Sequence, residues 1–393
     1  MSVKEYFGDV VRLKFQFNIN SGDALAKEQY VEDGSYPVIG ANGVLGHYDS
    51  ANIEDEVLVV GRVGSVGAVN RFSHCWVNDN ALVMSTQKPH DLAFAYYALQ
   101  CIDFLSYSAG TAMPLITGTQ LKNTRVPNQT AEVKEHIVTY LDRRTAKIDS
   151  LLADLAHQAE MLDCYKRELI AEAVTKGLDK SAAMKDCGVD WIGEMPEHWD
   201  VTKTKWMFEI VKRIYGKEDR DVLSITQRGL KVRDLESNDG QLAESYANYQ
   251  VVNVNDFAMN SMDLLTGWVD CSPFEGVTSP DYRVFRFLPG KEQCHSYYKY
   301  LFQMCYKNRI FYRLGQGISN LGRWRLQADQ FLNMRLPQPP VDEQESIAAY
   351  LDEKTAKIEG LIADIMAQIE KLKQYRQIVI HDAVTGKVKV TEG

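Results

Sequence analysis

From residue 127 to 178, apolar side chains recur at alternating intervals of four and three. Ile137, Leu141, Arg144, Ile148, Leu151, Leu155, Gln158, Leu162, Tyr165 and Leu169 mark the stripe. The same spacing returns with Ile347, Leu351, Lys354, Ile358, Leu361, Ile365, Gln368, Leu372, Tyr375 and Val379. A 3.5-residue period held for about five heptads is the pattern of a coiled-coil seam. It predicts two long helices, over 127–178 and 337–388. At about 1.5 Å per residue, about 40 residues of each reach roughly 60 Å.

The two segments align without a gap, and about 40% of their positions are identical. Their cores read YLDRRTAKIDSLLADLAHQAEMLDCY and YLDEKTAKIEGLIADIMAQIEKLKQY. A match of this length is an internal repeat. The simplest use of two like seams is to bury each in the other. Antiparallel pairing is expected, with a pseudo-two-fold relating the halves. Gln158 and Gln368 then fall at mid-seam, where a polar contact would set the register.

A globular module precedes each helix, over 1–126 and 199–336. In the first, YPVIGANGVLGHYD, EVLVVGRVGSVGAVNRF and WVNDNALVMS read as short strands bounded by Gly and Asn-Gly turns. A helix is expected at about 91–107. In the second, DVLSITQRGL, YQVVNVNDFAMN, WVDCSPFEGV and YRVFRFL read as strands, with a helix at about 294–312. The fold class is α+β. The modules differ far more than the helices do, as heads with unlike targets would. Residues 179–198 form a connector, expected to be packed because Trp191 and Trp199 flank its end.

The net charge of −9 is low for a nucleic-acid binder. Its distribution is uneven. Residues 1–125 carry 9 basic and 13 acidic side chains, and residues 199–335 carry 19 and 16. Modest phosphate affinity is expected from this chain alone. The seven cysteines form no CxxC pair, which fits a reducing compartment and argues against a zinc knuckle. No apolar run approaches the roughly 20 residues of a membrane span, and MSVKEYFGDVVRLKF lacks a signal pattern. A cytoplasmic location and no membrane contact are expected.

Catalytic motifs are missing. There is no GxxxxGK[ST] loop, no HExxH pair and no [DNS]PP[YFW] motif. GRVGSVG at 61–67 has the wrong spacing for a dinucleotide site and reads as tight β-turns. GQGISN at 315–320 reads as a loop near Arg313, Arg323 and Arg325. No metal site is expected.

Four segments together resemble the specificity subunits of type I restriction–modification systems. They are GVDWIGEMPEHW at 188–199, LPQPPVDEQESIAAYLDEKTAKIEGLIA at 336–363, its earlier copy at 126–153, and YPVIGANGVLGHYD at 36–49. The resemblance covers essentially the whole chain. It implies target recognition domains at 1–126 and 199–336, each reading half of a bipartite, asymmetric double-stranded DNA sequence. The spacers at 127–178 and 337–388 would act as a ruler and dock two methyltransferase subunits. Restriction subunits would join through these. S-adenosylmethionine, ATP and Mg would belong to the partner subunits, with no cofactor in this chain. The assembled complex would be an adenine-N6 methyltransferase and ATP-dependent endonuclease, while this chain has no catalytic site. One departure is VPNQTAEVKEHI, where the family has Pro-Pro and Glu-Gln before the helix.

Base-reading candidates follow from chemistry, since Arg and Lys pair with guanine and Asn and Gln with adenine. The candidates are Asn42, Arg62, Ser65 and Arg71 in the first module. In the second they are Gln227, Arg228, Lys231, Asn260, Ser319, Asn320, Arg323 and Arg325. A competing reading is a coiled-coil scaffold with two protein-binding heads. An enzyme fragment is the other.

Overall fold

A computed structural model describes residues 9–108, 115–234, 245–291, 293–315, 324–388 and 390. Seven α-helices occur among them: α1 Pro89–Gln100, α2 Gly118–Asn123, α3 Ala131–Lys176, α4 His295–Lys307, α5 Ile310–Leu314, α6 Ala328–Asn333 and α7 Val341–Val384. None is long and apolar enough to cross a membrane. Two compact units form. One holds residues 1–157 and 365–393, the other residues 158–364. Each is mixed α and β, and each takes about half of α3 and half of α7.

The first unit is built on an antiparallel sheet in the order Asn18–Ser21, Ala81–Ser85, Val57–Gly61, Val69–Phe72. Val57–Gly61 is an apolar run because it is buried on both faces. Leu58 and Val60 enter the core with α1, while Val57 and Val59 face a smaller core with Ile39, Cys75 and Val77. Period-two alternation thus sorts one run into two cores. Each such side chain contributes about 1.5–3 kcal/mol on burial. Val10–Arg12 pairs with Arg125–Pro127, just before α3. The same core takes Ile137 and Leu141 of α3 and Ile380, Ala383 and Val384 of α7. Asp149 receives two bonds from Arg376, Nε at 2.8 Å and Nη2 at 3.2 Å. Early residues of α3 therefore meet late residues of α7, and the two helix halves run antiparallel.

The second unit repeats this plan. Its antiparallel sheet runs Phe208–Val211, Arg283–Phe287, Phe257–Met259, Val269–Cys271, the same order by position in the chain. Phe257 and Met259 face the larger core and Ala258 the smaller. Asp200–Lys203 pairs with Arg335–Gln338 before α7. Lys166 of α3 meets Glu359 of α7 at 3.4 Å. The connector packs as expected. Met184–Asp186 pairs with Glu194–Pro196, and Trp199 is fully buried, its Nε1 donating to Glu343 Oε2 at 2.9 Å.

The repeat also reaches further upstream than the helices. Asn123 at the end of α2 donates to the Thr119 carbonyl at 2.9 Å, and Asn333 at the end of α6 to the Asp329 carbonyl at 3.0 Å.

The expected seam needs a correction. Ile137, Leu141, Ile148, Leu155, Leu162 and Leu169 are buried or half-buried as read. The alternate positions are shifted by one residue. Leu151 and Tyr165 are 52% and 53% exposed, and Leu361 and Tyr375 are 53% and 50% exposed. Gln158 and Gln368 are exposed as well, so neither occupies a core position. The residues after them turn inward instead: Thr145, Leu152, Ala159 and Lys166 on α3, and Thr355, Ile362, Ile369 and Arg376 on α7. The Leu-Leu and Leu-Ile pairs at 151–152 and 361–362 permit either phase. The inner phase carries Thr145 and Thr355, buried under head tyrosines, and Ile369 where the outer phase offers Gln368.

The two elbows solve one problem with different chemistry. Gln344, fully buried, donates to the Pro339 carbonyl and Gln293 and accepts from the Cys294 backbone before α4. Its counterpart in the first arm is Lys134, which bonds Asp91 in the first turn of α1 at 2.7 Å. The unusual VPNQTAEVKEHI segment thus keeps the junction by exchanging an amide cap for a buried ion pair.

Candidate nucleic-acid interface

In each unit a hairpin tip meets the loop that leaves the buried central strand. In the first unit the tip is Ala41–Asn42, between Tyr36–Gly40 and Gly43–Tyr48. The loop is Arg62–Ala68. They touch over Gly61, where any Cβ would overlap the carbonyls of both Ala41 and Ser65. Only glycine permits that approach. The GRVGSVG segment is therefore a turn, closed by Gly61 N to Ala68 O and Gly67 N to Gly61 O. Asn42, Arg62 and Ser65 come together here. Asn42 is exposed and Ser65 half-buried. Arg62 is half-buried, with Nη1 3.5 Å from the Asp79 carbonyl and Nε without a partner among the described residues.

Arg71 lies elsewhere. Its guanidinium stacks 4.5 Å from the centroid of Tyr96, and Nη2 donates to the Ala93 carbonyl at 3.3 Å. It fastens the sheet to α1, so its geometry is that of a structural cation.

In the second unit the tip is Gln227–Arg228, between Leu223–Thr226 and Gly229–Val232. The loop is Asn260–Trp268. Gln227 Nε2 donates to the Thr266 carbonyl at 3.3 Å. The chain at 324–326 completes the cluster, with Leu264 N bonded to Trp324 O and Leu326 N to Ser261 O. Arg228 and Arg325 are exposed. Asn260 Oδ1 accepts from Met262 N at 3.1 Å, so this side chain shapes the loop. Lys231 is exposed three residues beyond Arg228 on the hairpin, beside a separate depression with Arg233 and Tyr249. Ser319, Asn320 and Arg323 lie outside the described residues, as does most of GQGISN.

Beneath Arg228 lies a cavity of about 340 Å³ that sequence reasoning missed. Lys299, Gln303 and Lys307 line it from one face of α4, Lys166 and Arg167 from α3, and Trp268 from the loop. Lys307 sits 5.3 Å from the Trp268 ring centroid. The four-residue spacing of Lys299, Gln303 and Lys307 was legible as a polar helix stripe. Asp270 supports the tip from below. Its Oδ2 accepts from Leu230 N at 2.9 Å and leaves no room for a Cβ at Gly229, where φ is +102°. Burial pushes its carboxyl up from the usual range.

Arg228 is exposed and makes no side-chain hydrogen bond or ion pair among the described residues. Arg228→Ala is expected to lower specific DNA affinity of the assembled complex by about 1–3 kcal/mol. Fluorescence anisotropy on a specific duplex measures this. Unchanged affinity would remove Arg228 from the interface.

Comparisons with known proteins agree with this architecture. Residues 9–158 match the family described as type I restriction modification DNA specificity domain. The type I restriction enzyme MjaVIII specificity subunit of Methanocaldococcus jannaschii is 22% identical over 318 residues, covering 76% of this chain and 71% of that protein. The putative MjaX specificity subunit of the same organism is 24% identical, covering 70% and 62%. A chain from a solved structure concerned with complex assembly and conformational transition of the type I R-M system superposes with a TM-score of 0.64. It covers 97% of this chain and 98% of that one, at 13% identity, and so shows the fold. With a DNA specificity domain in residues 9–158 and the same plan repeated after it, the chain is similar to the specificity subunits of type I restriction–modification systems.

Proposed function

We propose that the chain is the non-catalytic sequence reader of a type I complex, each head contacting one half of a bipartite, asymmetric DNA target. The observation that carries this reading is the duplication. One head topology occurs twice on two like arms, and unlike loops stand at the same end of both sheets. Two frames of the same build with different loops suit two different half-sites. The 46 residues of α3 amount to about 69 Å, close to two turns of B-DNA at about 34 Å each. The arms then act as a spacer.

The arms also serve as docking surfaces for two methyltransferase subunits, and through them restriction subunits. Exposed Leu151 and Tyr165 on α3, with Leu361 and Tyr375 on α7, support this. S-adenosylmethionine, ATP and Mg are assigned to those partners. Co-expression with the methyltransferase followed by methylome sequencing tests the reading. A bipartite motif that vanishes when this chain is deleted is the expected result. Methylation that persists unchanged without the chain would overturn it.

A further inference from the structure

Tyr97 and Tyr300 make the same contacts in the two units, although the segments around them, AFAYYA and YYKYLF, have little in common. Tyr97 donates to Asp142 Oδ1 at 2.5 Å and lies 3.2 Å from Thr145 Oγ1. Tyr300 donates to Asp352 Oδ1 at 2.6 Å and lies 3.2 Å from Thr355 Oγ1. Both threonines also bond the carbonyl one turn back, Leu141 at 2.8 Å and Leu351 at 2.7 Å. Both tyrosines are buried, and both aspartates stand on the exposed side. Each head helix, α1 or α4, is thereby tied to its arm.

We propose that this Tyr–Asp–Thr clamp is a positioning device that sets the half-site spacing the protein accepts. The proposal rests on the DNA-reading function above. Each head joins its arm through the chain that follows Pro127 or Pro337. The elbow contacts, Asp91 with Lys134 in the first unit and Gln344 with Cys294 in the second, lie within about two helical turns of that junction and leave it a pivot. The clamp grips the arm about 15 residues further on, roughly 20 Å at 1.5 Å per residue. Two anchor points remove the rotation that one allows. One base pair rises about 3.4 Å, so a rotation of roughly 10° about the elbow displaces any point about 20 Å from it by one base pair. The clamp recurs where the surrounding head sequence does not, which suits a shared geometric duty better than head-specific packing. Asp142 and Asp352 keep water access when the phenol hydroxyl is lost, so the tyrosine-to-phenylalanine variants retain a route to the native fold.

The test uses the full chain assembled with its methyltransferase subunit. Wild type, Tyr97→Phe, Tyr300→Phe, Asp142→Asn and Asp352→Asn are compared on duplexes that differ only in spacer length. Wild type is expected to lose about tenfold or more in methylation rate when the spacer changes by one base pair. The variants are expected to accept the neighbouring spacers within about threefold of the native one. A variant with a lower melting temperature but the wild-type spacer profile would reduce the clamp to a structural contact. The asparagine variants apply the same criterion should a phenylalanine variant fail to fold. Indifference of the wild type to both half-sites would instead overturn the recognition function itself.

Discussion

Asp91→Ala is expected to lower folding stability by about 3–5 kcal/mol, the cost of leaving one partner of a buried ion pair alone. The side chains of Asp91 and Lys134 are 9% and 4% exposed, and they meet at 2.7 Å. Removing the carboxylate strands an ammonium group under α1. Lys134→Ala should cost a similar amount, because it strands the carboxylate. The double variant Asp91→Asn with Lys134→Gln should lose less than either alanine, since an amide holds the equivalent junction at Gln344. Urea unfolding followed by circular dichroism measures all three. A single-alanine loss below about 1 kcal/mol would show that water reaches the pair and that the elbow does not depend on it.

The second large effect is expected on assembly rather than folding. Tyr165→Asp combined with Tyr375→Asp should abolish capture of the methyltransferase subunit. Anchoring aromatics in interfaces are worth about 2 kcal/mol or more each, and in the proposed arrangement the pair offers one to each docking surface. Leu151 and Tyr165 are two heptads apart, so they share a helix face. Leu361 and Tyr375 repeat that arrangement. Exposed substitutions of this kind typically change stability by about 0.5 kcal/mol or less, so the chain alone should melt normally. Analytical ultracentrifugation of the mixed subunits gives the readout. A complex of normal stoichiometry and affinity would place the docking surface elsewhere.

Much of the candidate interface was legible at low resolution. Asn42, Arg62, Ser65, Gln227 and Arg228 were chosen for chemistry and Gly-rich neighbourhoods. They fall on matching hairpin tips and loops in the two units. Glycine marks such tips because close backbone approach demands it, as at Gly61. Arg71 lies apart from this cluster, stacked on Tyr96; an arginine on a strand end reads alike whether it faces solvent or a tyrosine ring. Asn260 was chosen as an adenine reader, yet its amide oxygen caps its own loop. The Tyr–Asp–Thr clamp went unseen, although its DxxT half stands in both arms as DRRT and DEKT. Its tyrosines come from head segments too unlike to align.

The sequence by itself determined the duplication, the long helices, the mixed α and β heads and the packed connector. These follow from local periodicity, Gly and Pro punctuation and a gapless match, all properties of neighbouring residues. Tertiary structure decided the phase of the helical seam. At 151 and 152 both phases offer a leucine, and the fold buries the phase that carries Thr145 and Thr355 beneath Tyr97 and Tyr300. It also decided that the heads share one topology, because strand order depends on pairings between residues far apart in the chain. The outward stripe, Leu151 and Tyr165 with Leu361 and Tyr375, is what remains when the other turns inward.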